Sequence, residues 1–318
     1  MSGSRIAIRA VFRSHETNGD AMDDKLSDLD LMGKAYSAAG KAFRSRLRER
    51  APEDEQHLRA IRPSEIVVIR GHYDHIERVL RATEVPHLVV TPEDVGRLHW
   101  SELQVLMVSC PGNLSPESIS RIAAWVRRGG YLVTTDWALK HVIEPAFPGT
   151  VRHNGHQTTD CVVRVELLGA GDDPLLAGFL EDGREPLWWL EGSSYPIEVV
   201  DPERVRVLIR SREVGAQWGA EPVVVTFEEG EGTVLHMLSH LYLQRSDVRG
   251  ARDAQPAADA LMEPAMGLSS SAVGAMGDEV LGVNAASLKS AFSTAGLMAG
   301  AVVSQKRKVA QKGKGMAR

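Results

Sequence analysis

Between residues 63 and 246 the chain carries short, unbroken runs of β-branched and aliphatic residues: IVVIR at 66–70, HLVV at 87–90, VLMVS at 105–109 and YLVTT at 131–135. Helical spacing fills the gaps at 75–82 and 115–128, and in the second of these Ile119, Ile122, Ala123 and Val126 fall on one face. Ser115-Pro116-Glu117 is a helix start, with Ser as N-cap and Pro at the first helical position. Strands apolar along their whole length, alternating with helices, predict a parallel sheet covered on both faces. Further on, VVRVELLG at 162–169, IEVV at 197–200, VRVLIRS at 205–211, PVVVTF at 222–227 and TVLHMLS at 233–239 follow one another without long helices. The segment EEGEG at 228–232 reads as a hairpin turn between the last two. The expected fold is α/β, a parallel core with antiparallel additions.

The flanks differ. Residues 1–62 are charge-rich and read as an N-terminal helical extension. Within them Leu29, Met32, Tyr36, Ala39, Phe43 and Leu47 recur every three or four residues, so an amphipathic helix is expected over 28–50. Its stripe should pack on the main domain, or else on a protein partner. From residue 247 the only aromatic is Phe292, and Ala, Gly, Ser and Met dominate. The last 13 residues hold six basic and no acidic side chains. Residues 247–318 therefore read as a low-complexity, largely disordered tail with one or two weak helices, a second candidate for partner binding. Its basic end, 306–318, is the one place where weak contact with nucleic acid or acidic lipid is expected.

Composition narrows the class. With 43% hydrophobic and 25% charged residues, the chain is not disordered throughout. Its net charge of −5, from 37 basic and 42 acidic residues, gives no global attraction to nucleic acid. Two cysteines, Cys110 and Cys161, are too few for a disulfide framework or a Cys-rich zinc site and fit a reducing compartment. The N-terminus lacks the apolar core of a signal peptide, and the least polar stretch, 291–303, is shorter than the roughly 20 residues that span a bilayer. A cytoplasmic protein without a membrane span is expected. Gly-Ala-Gly at 169–171 lacks the helix and Lys of a phosphate-binding loop, so nucleotide use is not expected.

In a sheet of this kind ligands bind outside the carboxyl ends of the strands. Gly71-His72-Tyr73-Asp74-His75 follows the first run, Ser109-Cys110-Pro111-Gly112 the third and Thr135-Asp136-Trp137 the fourth, while the last run ends at Ser239-His240. Their order resembles the class I glutamine amidotransferase-like fold, in its trehalose-utilisation-protein-like branch. The likeness covers about residues 63–246 and rests on three features: Cys110-Pro111-Gly112 after a strand, Gly129-Gly130 before a strand that ends in a sharp turn, and a Gly-rich hairpin leading to a strand that ends in His. The resemblance implies a flavodoxin-like parallel sheet with helices on both faces and antiparallel additions. It also implies a nucleophilic Cys on the turn at 135–137 and a His-x-Glu pair after the late strand. Asp136 stands at the Cys position, His240 matches the His, and Tyr242 replaces the acid, so the catalytic Cys of the family is missing. Cys110 lies on a different turn and is not expected to replace it.

Each candidate has a plain alternative. Cys110 reads first as a small buried residue. Asp136 reads equally as the cap of a helix starting at Trp137 or as a group that orients an imidazole or binds a metal. His72, Asp74 and His75 are ligand-type side chains within four residues. The segment from Leu187 to Pro196 places Trp188, Trp189, Glu191, Ser194 and Tyr195 together, as an aromatic plug or, with Trp137, as a ligand-binding wall. The sequence names no cofactor, no resident metal and no oligomeric state. Its first reading is a non-catalytic binding or scaffold module with a decayed amidotransferase-like site. The alternatives are a hydrolase using Asp136 and His240, metal-assisted or not, and a sugar-binding or sugar-modifying protein. Asp136 and His240 are expected to share one pocket, with Cys110, His75 and Glu191 on its rim.

Overall fold

The structure, a computed structural model, describes residues 13–169, 173, 175–176, 186–241, 254–261 and 268–316. The β-branched runs become strands β1 (Ile66–Ile69), β2 (Leu88–Val90), β3 (Val105–Val108) and β4 (Tyr131–Thr135). Three more pairs of strands follow: β5 (Val151–His153) with β9 (Ile197–Val199), β6 (Cys161–Arg164) with β8 (Leu187–Leu190), and the hairpin β11 (Pro222–Glu229) and β12 (Gly232–Met237). With β7 (Glu166–Leu167) and β10 (Val205–Arg210), the main sheet has eight strands in the order β2-β1-β3-β4-β12-β11-β10-β7. The first five are parallel and the last three antiparallel. A parallel core in which the first two strands are transposed is the flavodoxin-like order. The run at 162–169 divides into β6 and β7, and 197–200 joins β5 outside the main sheet.

Helices α3 (Ile76–Ala82) and α4 (Pro116–Arg127) are the β1–β2 and β3–β4 crossovers. The two steps run in opposite directions along the sheet, so right-handed crossovers place the helices on opposite faces. Ser115 caps α4, its hydroxyl accepting the Ser118 N–H at 3.1 Å, and Ile122, Ala123 and Val126 are buried. The β11–β12 hairpin packs so closely on this helix that a Cβ on Gly232 would stand 1.9 Å from the Val126 carbonyl oxygen.

The flanking segments are part of the same core. Helix α1 (Arg13–Arg50) buries Met32, Tyr36, Ala39, Phe43 and Leu47, which makes the stripe seen in the sequence an internal face. Helix α2 (Pro52–Arg59) follows it, and α5 (Glu144–Ala146) and α6 (Arg212–Trp218) are short connectors. Beyond residue 253 the structure corrects the expectation of a disordered tail. Helices α7 (Ala257–Leu261), α8 (Ser270–Met276) and α9 (Ala285–Met316) are formed, and α9 lies against α1, α2, β3, β4 and β8. The physical reason is the Ala- and Ser-rich composition that suggested disorder. Small residues on α9 (Ala291, Ala295) and on α1 (Ala35, Ala38, Ala39, Ala42) bring two helices close together, and all are buried. Phe292 meets Phe43 edge-on at 6.2 Å, and the Tyr36 and Thr294 hydroxyls lie 3.1 Å apart. By length and composition α9 could cross a membrane over Ala285–Lys312, but 94% of its most apolar window is buried within this fold.

The basic end of α9 is likewise engaged. Lys306 pairs with Glu65, Arg307 with Asp54, Lys308 with Glu228 and Lys312 with Glu231. Four of the six basic groups expected to attract polyanions thus face acids of the same chain.

Two outcomes follow for stability. Phe292→Ala should cost about 3–5 kcal/mol in urea unfolding, the scale for a large aromatic removed from a core; a loss under 1 kcal/mol would mean that α9 is not part of it. His236, the penultimate residue of β12, is fully buried beside the Thr134 hydroxyl at 2.8 Å, and burial lowers its pKa from 6.5 to about 3. Below pH 6.5 the unfolded chain binds a proton that folded His236 refuses, so stability falls by about 1.4 kcal/mol per pH unit down to about pH 3. His236→Asn should therefore reduce the stability lost between pH 7 and pH 5 by about 2 kcal/mol; an unchanged slope would place the titration elsewhere.

Candidate functional site

The carboxyl ends of β1, β3, β4 and β12 converge, and a buried carboxylate holds them together. Asp74 accepts the N–H of His75 at 2.7 Å, the N–H of Leu241 at 2.8 Å and the Thr135 hydroxyl. Thr135 in turn accepts the Cys110 N–H at 3.1 Å. Gly71 is required at this crossing, because a Cβ there would lie 2.0 Å from the Cys110 carbonyl oxygen. Burial raises the Asp74 pKa from 3.8 to about 6, opposed by the His240 charge and by the three hydrogen bonds. An apolar strand that ends in two threonines, as β4 does, is the sequence signal for this network; the strand-end reading names Thr135 but gives it no role.

Asp136 begins the turn after β4 in the left-handed region, with φ of 45°, a conformation Asp tolerates better than most residues. Its N–H donates to the Met237 carbonyl at 2.9 Å. Its carboxylate does not cap the following turn. Oδ1 accepts the Tyr195 N–H at 2.8 Å, and Oδ2 accepts the Ser194 hydroxyl at 3.1 Å and lies 2.9 Å from His240 Nε2. The helix-cap reading of Asp136 is thereby replaced.

His240 bridges two acids, with Nε2 toward Asp136 and Nδ1 against a Glu191 carboxylate oxygen. Burial disfavours charge on its ring, but Asp136, Cys110 and Glu191, all hydrogen-bonded to it, outweigh burial and raise its pKa far above the usual imidazole range. Cys110, expected on the rim, joins the same cluster. Its sulfur, an Asp136 oxygen and a His240 ring nitrogen all lie within 4.8 Å of one another. Adjacent parallel strands are only about 4.8 Å apart, so turns that follow neighbouring strands meet in space. Burial raises the Cys110 thiol pKa, with the hydrogen bond to His240 pulling the other way.

The other candidates separate into three groups. Glu191 and Ser194 belong to the cluster. Trp137, Tyr195 and Tyr73 form a row beside it: Trp137 stacks on Tyr195 at 5.4 Å and 19°, and Tyr73, half-exposed, meets Trp137 edge-on at 5.3 Å. His153, which no sequence signal marked, stacks on the far side of Tyr195 at 4.0 Å. His72, His75, Trp188 and Trp189 stay apart from the cluster. His75 turns to Glu77 at 3.4 Å, and the exposed His72 lies against Tyr73. Trp188 and Trp189 are each 3% exposed, with the Trp188 indole N–H bonded to the Leu238 carbonyl, so they plug the core instead of lining a ligand wall. A cavity of about 680 Å³, lined by Tyr131, Arg206, Glu228 and Lys308, lies at the opposite end of β4.

No family model matches the chain, and no curated protein matches it. Solved structures similar to it include a putative ThuA-like protein from Bacteroides uniformis ATCC 8492, with TM-score 0.41 and 13% identity, covering 57% of this chain and 84% of that one. A putative GMP synthase component from Thermoplasma acidophilum gives TM-score 0.38 and 15% identity, covering 54% and 81%. An exo-β-1,4-mannosidase from Opitutaceae bacterium strain TAV5 gives TM-score 0.40 and 12% identity, covering 62% of this chain and only 34% of that one. Likenesses of this degree carry no argument about activity. The fold class rests on the strand order itself: an α/β sheet, mostly parallel, flanked by helices.

Proposed function

We propose that this chain is a binding or scaffold module whose amidotransferase-like site performs neither thiol nor Asp/His hydrolytic chemistry. The observation that supports this most is the closure of the Asp136–His240–Glu191 cluster. A 2.9 Å contact between Asp136 and His240 is within reach for proton transfer. Both ring nitrogens of His240, however, already face carboxylates, so no lone pair is free to take a proton from a substrate. Both Asp136 oxygens are engaged, and Asp136 and Cys110 are fully buried. A thiol whose pKa burial raises is a poor nucleophile at neutral pH. The cluster fastens the loop between β8 and β9 onto the strand ends and fixes the Tyr73–Trp137–Tyr195 row, which is the surface offered to a ligand. A carbohydrate is the second reading, favoured by the partly exposed Trp137 and half-exposed Tyr73 rings.

Removal of one member of the cluster should orphan buried charge. Asp136→Asn and His240→Gln are each expected to lower unfolding stability by about 3–5 kcal/mol. The triple change Asp136→Asn, Glu191→Gln, His240→Gln should cost less than the sum of its parts. In parallel assays of ester, glycoside and glutamine hydrolysis, wild type and variants should be alike at background. A His240-dependent turnover, with stability unchanged by His240→Gln, would overturn the reading.

Cys110 gives a separate test. With metal removed by a chelator, iodoacetamide should leave Cys110 unlabelled in the folded chain, label the partly exposed Cys161, and label both after denaturation. Labelling of Cys110 faster than a free thiol would establish a reactive nucleophile.

A further inference from the structure

The ends of β3, β4 and β12 bring together a thiol, a carboxylate and an imidazole, the three donor types of a transition-metal site. Cys110 Sγ, an Asp136 oxygen and a His240 nitrogen lie within 4.8 Å of one another on three buried residues. Among the described residues this is the one group of His, Cys, Asp and Glu side chains with that convergence. A tetrahedral zinc ion holds sulfur at about 2.3 Å and nitrogen or oxygen at about 2.0–2.1 Å, which separates its donors by about 3.3–3.6 Å. The Asp136–His240 contact of 2.9 Å would have to open by only about half an ångström.

A second observation is independent of the donors. Metal-ligating histidines almost always give their other ring N–H to a carboxylate, a backbone carbonyl or a water, which fixes the ring and its tautomer. Glu191 occupies that position on Nδ1 and leaves Nε2 directed at the cluster. Asp136 is oriented in the same way, by the Tyr195 N–H at 2.8 Å and the Ser194 hydroxyl at 3.1 Å. The His72-Asp74-His75 run has no such arrangement: Asp74 is bonded to two backbone N–H groups and a hydroxyl, and His75 faces Glu77.

We propose that Cys110, Asp136 and His240 bind one thiophilic divalent transition-metal ion of the zinc class, with Glu191 as the positioning residue for His240. The thiolate selects zinc or cobalt over magnesium or calcium, which prefer oxygen donors. Binding displaces the thiol proton of Cys110 and the Nε2 proton of His240 to solvent. This inference does not rest on the binding-module reading, and its failure would leave that reading untouched.

The test uses the untagged, full-length protein, treated with a chelator and titrated with Co²⁺ alone. Wild type should bind one Co²⁺ per chain with a thiolate-to-cobalt charge-transfer band that Zn²⁺ abolishes by displacement. Cys110→Ser should lose the band and bind at least tenfold more weakly. If that variant does not fold, Glu191→Gln, which keeps all three donors, should retain the band and weaken affinity by about 10- to 100-fold. Absence of a thiolate band in wild type, a band that survives Cys110→Ser, or an affinity unchanged by Glu191→Gln would overturn the proposal.

Discussion

The bridge that His240 makes between Asp136 and Glu191 is the constraint around which the strand ends are arranged. A buried charge is tolerated only when it is paired and its remaining hydrogen-bonding capacity is filled. Each partner comes from a different part of the chain: Asp136 from the turn after β4, His240 from the end of β12, and Glu191 from the loop after β8. Satisfying all three at once fixes where that loop lies. The loop then supplies the Tyr195 N–H and Ser194 hydroxyl to Asp136 and the Ser193 carbonyl to the Trp137 indole. Asp74 does the same work one layer beneath, tying β1 to β4 and β12 through Thr135 and Leu241.

The helical layer over β3 and β4 is held by different physics. There α9 packs on α1 through alanines and one Phe–Phe contact, and burial of apolar surface supplies the stabilisation. The ion pairs of Lys306, Arg307, Lys308 and Lys312 are partly exposed and add little each. Acids of the same chain thus answer four members of the basic cluster. The Gln305 side chain donates to the Gly129 carbonyl at 3.0 Å, so α9 also closes the turn that leads into β4.

The parallel core is legible because its signals are local. A run such as IVVIR or YLVTT, buried on both faces, has little other than β-branched and aliphatic residues, and Ser115-Pro116 marks a helix start by its own chemistry. The pairing of Asp136 with His240 is legible by position, since both follow strands of a sheet whose carboxyl ends must meet. Other features depend on packing between distant segments. Whether Asp136 caps a helix or meets Ser194 and Tyr195 is decided by a loop nearly sixty residues away. The nearness of Cys110 to Asp136 is legible by position, since β3 and β4 are neighbours in the sheet, whereas His75, expected beside them, turns to Glu77. Alanine-rich sequence at 285–303 carries no aromatic anchor except Phe292, and its order becomes visible only once the matching alanines of α1 lie beside it.

The account turns on the state of one ring. If His240 serves to hold the strand ends together, it must keep a proton on both nitrogens across the range in which a catalytic histidine would titrate. The most direct measurement is the pH dependence of the His240 ring ¹⁵N chemical shifts in chelator-treated protein. The account predicts two protonated ring nitrogens from pH 5.5 to 8.5, with no titration, and conversion to a neutral ring when Asp136 and Glu191 are both replaced by their amides. Titration of wild-type His240 with a midpoint near the unperturbed value of 6.5 would contradict it.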